Sequence, residues 1–114
     1  AVCAQLISSM PPPVPPAIVI LQAGNVYSGA CDEFRKVVQW CHASKSGSAG
    51  VWVHIDGAFG MWAAASASCS TQQLVDGVEL ADSWATDLHK ALNVPYDSGL
   101  VVVRNGKYLR GATA

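Results

Sequence analysis

Two residues suited to cofactor chemistry follow apolar stretches at separate points in the sequence. Asp56 follows the run V-W-V-H-I, and Lys90 follows the segment S-W-A-T-D-L-H. A lysine amine can hold an aldehyde as a Schiff base, and a carboxylate can keep a heterocyclic nitrogen protonated. Pyridoxal phosphate (PLP) needs both groups, one at each end of its ring. The pair therefore predicts a PLP site, provided that the fold brings the two side chains together.

Each of these residues also has an ordinary explanation when it is taken alone. A carboxylate at the end of a buried strand needs a partner, which could be a protonated ring nitrogen, an arginine or a helix N-terminus. Most lysines are solvated surface residues, so Lys90 alone indicates little. For His89 the options are a phosphate contact, a backbone cap or packing. We expect His54 to be buried in its strand and His42 to lie on a helix surface.

Motifs for other kinds of chemistry are absent from the sequence. It contains no G-x-S-x-G, no G-x-G-x-x-G and no G-x-x-x-x-G-K-[ST]. The histidines lack the spacing of metal ligands, so no metal site is predicted. The segment S-K-S-G-S-A-G (44–50) resembles a phosphate loop in composition only and is predicted to be a turn. The four cysteines form no C-x-x-C pair, which favours free thiols packed as small hydrophobes in a reducing compartment.

Composition limits the classes of protein to which the chain can belong. The 114 residues suit one small domain, of which 51% are hydrophobic and only 13% are charged, with a net charge of −1. Globular proteins usually have about 25% charged residues, so this chain resembles the interior of something larger. Scattered basic residues argue against a nucleic-acid partner, and no apolar run is long enough to cross a membrane. No basic segment precedes an apolar one, so we expect no signal peptide and a cytoplasmic location.

The spacing of apolar residues predicts an α/β order of elements. The β-branched run Ala17–Ala23 is typical of a strand buried on both faces. Asp32–Ser44 has one apolar helix face, with Asp32 suited to its N-terminal end. The remaining predictions are strands at Val51–Ile55, Asp82–Asp87 and Leu100–Val103, a short helix at Met61–Ala67 and a turn at Val94–Gly99.

Alternating strands and helices with short loops indicate a mainly parallel sheet. The connection between the third and fourth strands is short and lacks an obvious helix, so an antiparallel fourth strand is the alternative. In open α/β sheets, ligands lie beyond the carboxyl ends of the strands. Gly24, Asn25, Asp56, His89 and Lys90 all fall at those ends. The first three strands are therefore predicted to deliver polar groups to one edge.

Three segments in order carry a family resemblance. They are L-Q-A-G-N-V-Y-S-G-A-C-D (21–32), W-V-H-I-D-G-A-F-G-M-W-A (52–63) and L-A-D-S-W-A-T-D-L-H-K-A-L-N-V-P-Y-D-S-G-L (80–100). Together they resemble the large domain of the group II PLP-dependent amino-acid decarboxylases, which have the fold type I (aspartate aminotransferase) architecture. The resemblance implies a partial, mainly parallel sheet with flanking helices at 17–104. It leaves 1–16 as a proline-rich lead-in and 105–114 as a C-terminal tail.

The resemblance also implies a role for individual residues. Lys90 would be the Schiff-base lysine and Asp56 the partner of the pyridinium nitrogen. Ala58 would press on one face of the ring, where a small side chain allows a close approach. His89 would lie beside the phosphate, with Asp87 nearby.

The sequence departs from the family pattern at three positions. Asn25 stands where relatives often have Thr near the ring hydroxyl or the Asp, and its amide could serve there. Gly57 stands where many relatives have Ala, which is a mild change. Ala91 follows the lysine where Trp is frequent, which removes a packing group.

The activity implied by the resemblance is PLP-dependent decarboxylation of an L-amino acid. Family members are much longer and form their active site at a homodimer interface, so we expect this chain to be an inactive fragment that is at risk of lacking that interface. Two alternatives stay open. One is a non-catalytic remnant or partner of a full-length PLP enzyme, and the other is different PLP chemistry on the same fold, such as transamination.

Overall fold

A four-stranded sheet organises the part of the chain that the computed structural model describes, residues 17–43 and 50–113. The predicted lead-in, Cys3 and nearly all of the predicted turn at 44–50 lie outside the described residues. The elements are strands β1 (Ala17–Gln22), β2 (Val51–Asp56), β3 (Ser83–Asp87) and β4 (Gly99–Val103), helices α1 (Phe34–His42), α2 (Cys69–Gln73) and α3 (Gly106–Thr113), and 3₁₀ segments at Met61–Ala65 and Val78–Leu80.

The strands lie in the order β1-β2-β3-β4, with β1, β2 and β3 parallel and β4 antiparallel to β3. The link 88–98 is too short to contain a crossover helix, so the chain turns back beside the strand that it has just left. This confirms the mainly parallel sheet and decides the direction of the fourth strand. Because β1, β2 and β3 are parallel, all three end at the same edge, called here the carboxyl edge.

One face of the sheet holds the hydrophobic core. Leu21, Val53 and Ile55 point to this face and are buried. Helix α1 covers them, as its apolar spacing predicts. The residues of α1 buried in the core are Phe34, Val37, Val38 and Cys41.

The opposite face of β1 is open. Ile18 is 73% exposed and Ile20 is 68% exposed, while Leu21 between the sheet and α1 is buried. The prediction that this strand is buried on both faces is therefore wrong for the described residues. An apolar run indicates that a strand is suited to burial on both faces. It does not show which element covers the second face.

Helix α1 begins two residues later than predicted, at Phe34, and Asp32 does not cap it. Glu33 occupies the N-cap position without a side-chain hydrogen bond. The Asp32 carboxylate instead accepts a hydrogen bond from the backbone N–H of Gln22, over 2.8 Å. The Asp32 carboxylate therefore bonds to the end of β1 instead of capping the helix.

Two other segments differ from the prediction. The alanine-rich segment forms a 3₁₀ helix at Met61–Ala65 instead of a longer helix. Strand β3 ends at Asp87, as predicted, and Lys90 lies in the bend three residues beyond that strand end. The segment treated as a tail contains α3, whose first turn is capped by the Asn105 side chain, which accepts from the N–H of Lys107 over 3.1 Å.

Two glycines allow the loops after β1 and β2 to touch at the carboxyl edge. The N–H of Gly60 donates to the carbonyl of Ala23 over 2.9 Å, and a Cβ on Gly60 would lie only 2.6 Å from that oxygen. Gly24 has a φ of +79° and would also clash with Gly60 if it carried a side chain. Small residues at both positions therefore hold the loop that follows Asp56 against the end of β1.

The described cysteines are free thiols with different surroundings. Cys41 is buried in the core, Cys31 is half-buried and Cys69 is exposed. Burial and the negative charge of Asp82 raise the pKa of the Cys41 thiol. The prediction of packed thiols thus holds for Cys41 and fails for Cys69. Across residues 17–43 and 50–113, no helix combines the length and the apolar character needed to cross a bilayer.

Candidate functional site

Asp56 is the last residue of β2 and lies half-buried at the carboxyl edge. Its Oδ1 accepts a hydrogen bond from the N–H of Ala58 over 3.1 Å, which fixes the carboxylate over the turn 57–60. Within the described chain, its second oxygen accepts no hydrogen bond. One carboxylate oxygen thus orients the side chain, and the other is available to a ligand.

Lys90 holds its ammonium between a carboxylate and an aromatic ring. Its Nζ lies 2.6 Å from Oδ2 of Asp87 and 4.0 Å from the centroid of the Phe59 ring. The hydrogen bond from Lys90, with the charges of Lys90 and His89, lowers the pKa of Asp87. The Lys90 side chain is 30% exposed, so the amine remains within reach of a small molecule.

Asp56 and the Lys90 amine share both an edge and a face of the sheet. Asp56 pairs with Ala85, which points to the same side of β3 as Asp87. With strands about 4.8 Å apart and a rise of about 3.3 Å per residue, the Cα atoms of Asp56 and Asp87 lie about 8 Å apart. Phe59, which contacts the Lys90 ammonium, is only three residues beyond Asp56. The fold therefore brings the predicted carboxylate and amine into one neighbourhood.

His89 is nearly buried and fastens the link between β3 and β4. Its Nδ1 lies 2.7 Å from the carbonyl oxygen and 3.2 Å from the backbone nitrogen of Ser98. A single ring nitrogen either donates or accepts, so each tautomer uses one of these two contacts. The ring also packs against Tyr96, with centroids 4.1 Å apart, and its Nε2 lies 3.9 Å from Oδ2 of Asp87. His89 therefore connects the backbone of the link to the Lys90–Asp87 pair.

Asn25 caps a turn just beyond β1. Its Oδ1 accepts hydrogen bonds from the N–H groups of Tyr27 and Ser28, and its Nδ2 donates to Oε1 of Gln22 over 2.9 Å. Gln22 is the register partner of Asp56, so Asn25 reaches the site through that neighbour. The structure thus joins Asp56 to Ala58 and Asp87 to Lys90 by direct contacts, and it places the two pairs at the same edge of the sheet. Asn25 is connected to Asp56 only through Gln22.

Phe59 is a site residue that the sequence analysis did not identify. An aromatic residue among the small residues of a turn just after Asp56 is a usable signal, because a ring that cannot pack inside a tight turn faces a cavity or solvent. The structure places that ring beneath the Lys90 ammonium, where a cation–π contact forms.

A second unpredicted feature is a polar network on the open face of the sheet, beside Asp56. The indole N–H of Trp52 donates to Oγ of Ser83 over 2.8 Å, and that Oγ lies 2.7 Å from Nδ1 of His54. An indole only donates, so the Ser83 proton is free to point at His54. His54 was expected to be buried; it is half-buried. Helix α3 covers this face of β2 at Trp52, where the Tyr108 ring packs edge-on against the indole with ring centroids 5.1 Å apart.

No group of three or more histidine, cysteine or acidic side chains converges as a metal site anywhere in 17–43 or 50–113. The ionisable groups at the carboxyl edge are instead two carboxylates, one amine and one imidazole: Asp56, Asp87, Lys90 and His89. Such a set suits an organic molecule with a carbonyl group and a basic ring nitrogen better than it suits a cation.

Comparisons with known proteins agree with this chemistry. The pyridoxal-dependent decarboxylase conserved domain matches residues 14–114. An aromatic-L-amino-acid decarboxylase of Bacillus atrophaeus is 37% identical over 94 residues, which are 82% of this chain and 18% of that protein. An aspartate 1-decarboxylase of Aliivibrio fischeri is 32% identical over 92 residues, covering 81% of this chain and 16% of the relative.

Solved structures show the same fold. The Oryza sativa protein named TDC, crystallised with PLP, superposes with a TM-score of 0.67 at 25% identity, over 94% of this chain and 20% of that chain. The present chain therefore spans about a fifth or less of the length of the relatives that it matches. Its sheet and helices correspond to part of a fold type I domain.

Proposed function

Because the chain belongs to the pyridoxal-dependent decarboxylase family, we propose that it forms part of the PLP site of an enzyme that decarboxylates an L-amino acid. The observation that carries this proposal is the shared position of Asp56 and the Lys90 amine on one face of the carboxyl edge. The relatives named as decarboxylases support the reaction class, and the substrate is proposed only as an amino acid.

The residues present fit the cofactor on chemical grounds. Asp56 has an oxygen left for a protonated ring nitrogen, and Lys90 has an amine for the aldehyde. Ala58 offers a small side chain against the ring. The resemblance implies that His89 lies beside the phosphate with Asp87 nearby, and these two side chains lie 3.9 Å apart. For Asn25, one N–H of Nδ2 donates to Gln22, and the second N–H of the same amide is the donor that the ring hydroxyl would use.

When bound, PLP supplies an electron sink for the electron pair left behind by the departing carboxyl group. The role of this chain's residues would be to hold the cofactor and to keep its ring nitrogen protonated. Asp56 would keep a proton on the ring nitrogen by offering a fixed negative charge. Ala58 orients that carboxylate through its backbone N–H, so that the charge needs no rearrangement. Lys90 would supply the amine that holds the aldehyde.

Borohydride trapping tests the proposal. Incubation with PLP followed by sodium borohydride should leave a stable pyridoxyl label on Lys90, located by peptide mass spectrometry. Lys90→Arg should abolish that label, because guanidinium does not form the bond, while the matched Lys107→Arg variant should retain it. A label spread evenly over Lys36, Lys90 and Lys107 would contradict a PLP site at this edge.

The length of the relatives bears on turnover. This chain spans 18% of the Bacillus atrophaeus protein, so we propose that it binds PLP weakly by itself and releases little amine. Product analysis with a panel of amino acids would distinguish decarboxylation from transamination, since the first yields an amine and the second a keto acid. Rapid amine release by this chain alone would refute the expected low turnover.

A further inference from the structure

The Lys90–Asp87 pair is close enough to control the reactivity of the lysine. A carbonyl compound bonds to the lone pair of a neutral amine, and an ammonium has no such lone pair. The Lys90 ammonium lies 2.6 Å from the Asp87 carboxylate and over the ring of Phe59, and both contacts must be given up before the amine reacts.

The backbone holds this pair in place. Within the bend, the N–H of Leu88 donates to the carbonyl of Ser98 and the N–H of Asn93 donates to the carbonyl of Lys90. Asp87 itself belongs to β3 and pairs with Gly99 of β4. Both charged side chains therefore start from fixed positions, and the contact is built into the fold instead of depending on two flexible surface chains.

We propose that Asp87 is a positioning residue that holds Lys90 as an ammonium over Phe59, as a latch that must open before the amine can bind a carbonyl compound. The proposal rests on the proposed function, in which Lys90 is the residue that binds the aldehyde. It adds a resting state to that function. Asp87 would then act on Lys90 first, and any contact of Asp87 with the cofactor would follow the opening of the pair.

The chain contains two internal references. Lys36 has a carboxylate partner at the same i,i+3 spacing, Glu33 at 2.9 Å, but it is 64% exposed. Lys107 lies 4.8 Å from the centroid of the Tyr108 ring, and it has no acidic partner among residues 17–43 and 50–113. The first reference isolates the effect of a carboxylate in solvent, and the second isolates the effect of a ring.

Competitive labelling with a trace of acetic anhydride at about pH 8 measures each amine separately by mass spectrometry. The neutral amine forms the new N–C bond, acetate leaves with its electron pair and the amine proton passes to water. In the unmodified protein, Lys90 should label more slowly than Lys107. Asp87→Asn, which keeps the shape but removes the charge, should accelerate Lys90 by about three- to tenfold.

Matched variants separate the latch from a change in structure. Glu33→Gln should change the labelling of Lys36 by less than about twofold, because solvent already screens that pair. Asp87→Glu should restore part of the slow labelling of Lys90. Higher salt should accelerate Lys90 in the unmodified protein and leave it unchanged in Asp87→Asn.

Equal labelling of Lys90 in the unmodified protein and in folded Asp87→Asn would overturn the proposal. If Asp87→Asn loses its circular dichroism, the unmodified protein decides: Lys90 must label more slowly than Lys107 and must respond to salt. Acetic anhydride labelling needs no PLP. Failure of borohydride trapping would therefore contradict the proposed function alone, and the labelling result would still test the latch.

Discussion

The Ser83 hydroxyl satisfies two neighbouring groups on the face of the sheet that carries Asp56. It accepts from Trp52 and contacts Nδ1 of His54, and it is itself buried. The Ser83 hydroxyl either donates to Nδ1 of His54 or accepts from its N–H, depending on the tautomer of the imidazole. The network thus ties β2 to β3 two residues before Asp56.

Removal of this hydroxyl should measure what the network contributes. We expect Ser83→Ala to lower the free energy of unfolding by about 1–3 kcal/mol, because the Trp52 N–H and His54 Nδ1 both lose their partner. Urea denaturation followed by circular dichroism measures the change. The control Ser70→Ala, at an exposed position, should stay within about 0.5 kcal/mol of the unmodified protein. Equal stability of both variants would show that the network contributes nothing.

An exposed ion pair links α1 to the turn before β3. Arg35 donates from Nε and one terminal nitrogen to the two oxygens of Asp76, each over 2.7 Å, and also reaches Glu79. The Arg35 hydrogen bonds hold the pKa of Asp76 below its ordinary value of 3.8. This contact fixes the first turn of the helix that covers the core.

The lowered pKa predicts a pH-dependent contribution to stability. A carboxylate whose pKa falls on folding stabilises the protein above its unfolded pKa and loses that contribution as the pH falls through the folded value. Asp76→Asn should therefore lower the free energy of unfolding at neutral pH. The difference from the unmodified protein should shrink below about pH 4. Thermal unfolding across this range measures it.

The same substitution in an Arg35→Met background is the control. Without the guanidinium, Asp76→Asn should produce no difference that varies with pH. A pH-dependent difference that persists in that background would assign the effect to another partner of Asp76.

Local sequence patterns predicted the order of the elements better than their contacts. The β-branched run at β1 and the apolar spacing of α1 identified both elements, because those signals are intrinsic to the segments. The helix start failed because Asp32 bonds to Gln22, a residue of another element. The exposure of Ile18 and Ile20 was also missed, because whether a strand face is covered depends on other elements and not on the strand's own sequence.

The sequence identified candidate residues for the site, but it did not predict which side chains contact one another there. The sequence placed Asp56 and Lys90 at strand ends, and family resemblance supplied their expected roles, which stay predictions. It did not indicate that Asp87 and Phe59 surround the Lys90 ammonium, because that arrangement depends on a bend and on a turn from separate strands. Helix α3 was also missed, although Asn105 is a typical N-cap residue.

At the scale of the whole molecule, the open face of the sheet should govern behaviour in solution. Ile18 and Ile20 present contiguous apolar surface on a strand whose outer edge pairs with no described strand. We expect the double variant Ile18→Thr/Ile20→Thr to reduce concentration-dependent association, because threonine keeps the strand preference while removing apolar area. Sedimentation velocity at several concentrations measures the association.

A loop substitution controls for the loss of apolar surface alone. Val26 is also exposed but lies outside the sheet, so Val26→Thr should leave association unchanged. A monodisperse unmodified protein at high concentration would contradict the prediction.

The antiparallel return of β4 has a consequence for the order in which the chain folds. Residues paired between β3 and β4 are 12 to 20 positions apart, from Asp87 with Gly99 to Ser83 with Val103, whereas β1 and β2 pair across 34. Short loops close sooner, so the hairpin that carries Lys90 should form before the long crossovers deliver Asp56. The rate at which the complete site forms is then limited by the pairing of β2, which positions Asp56, and not by the hairpin that carries Lys90.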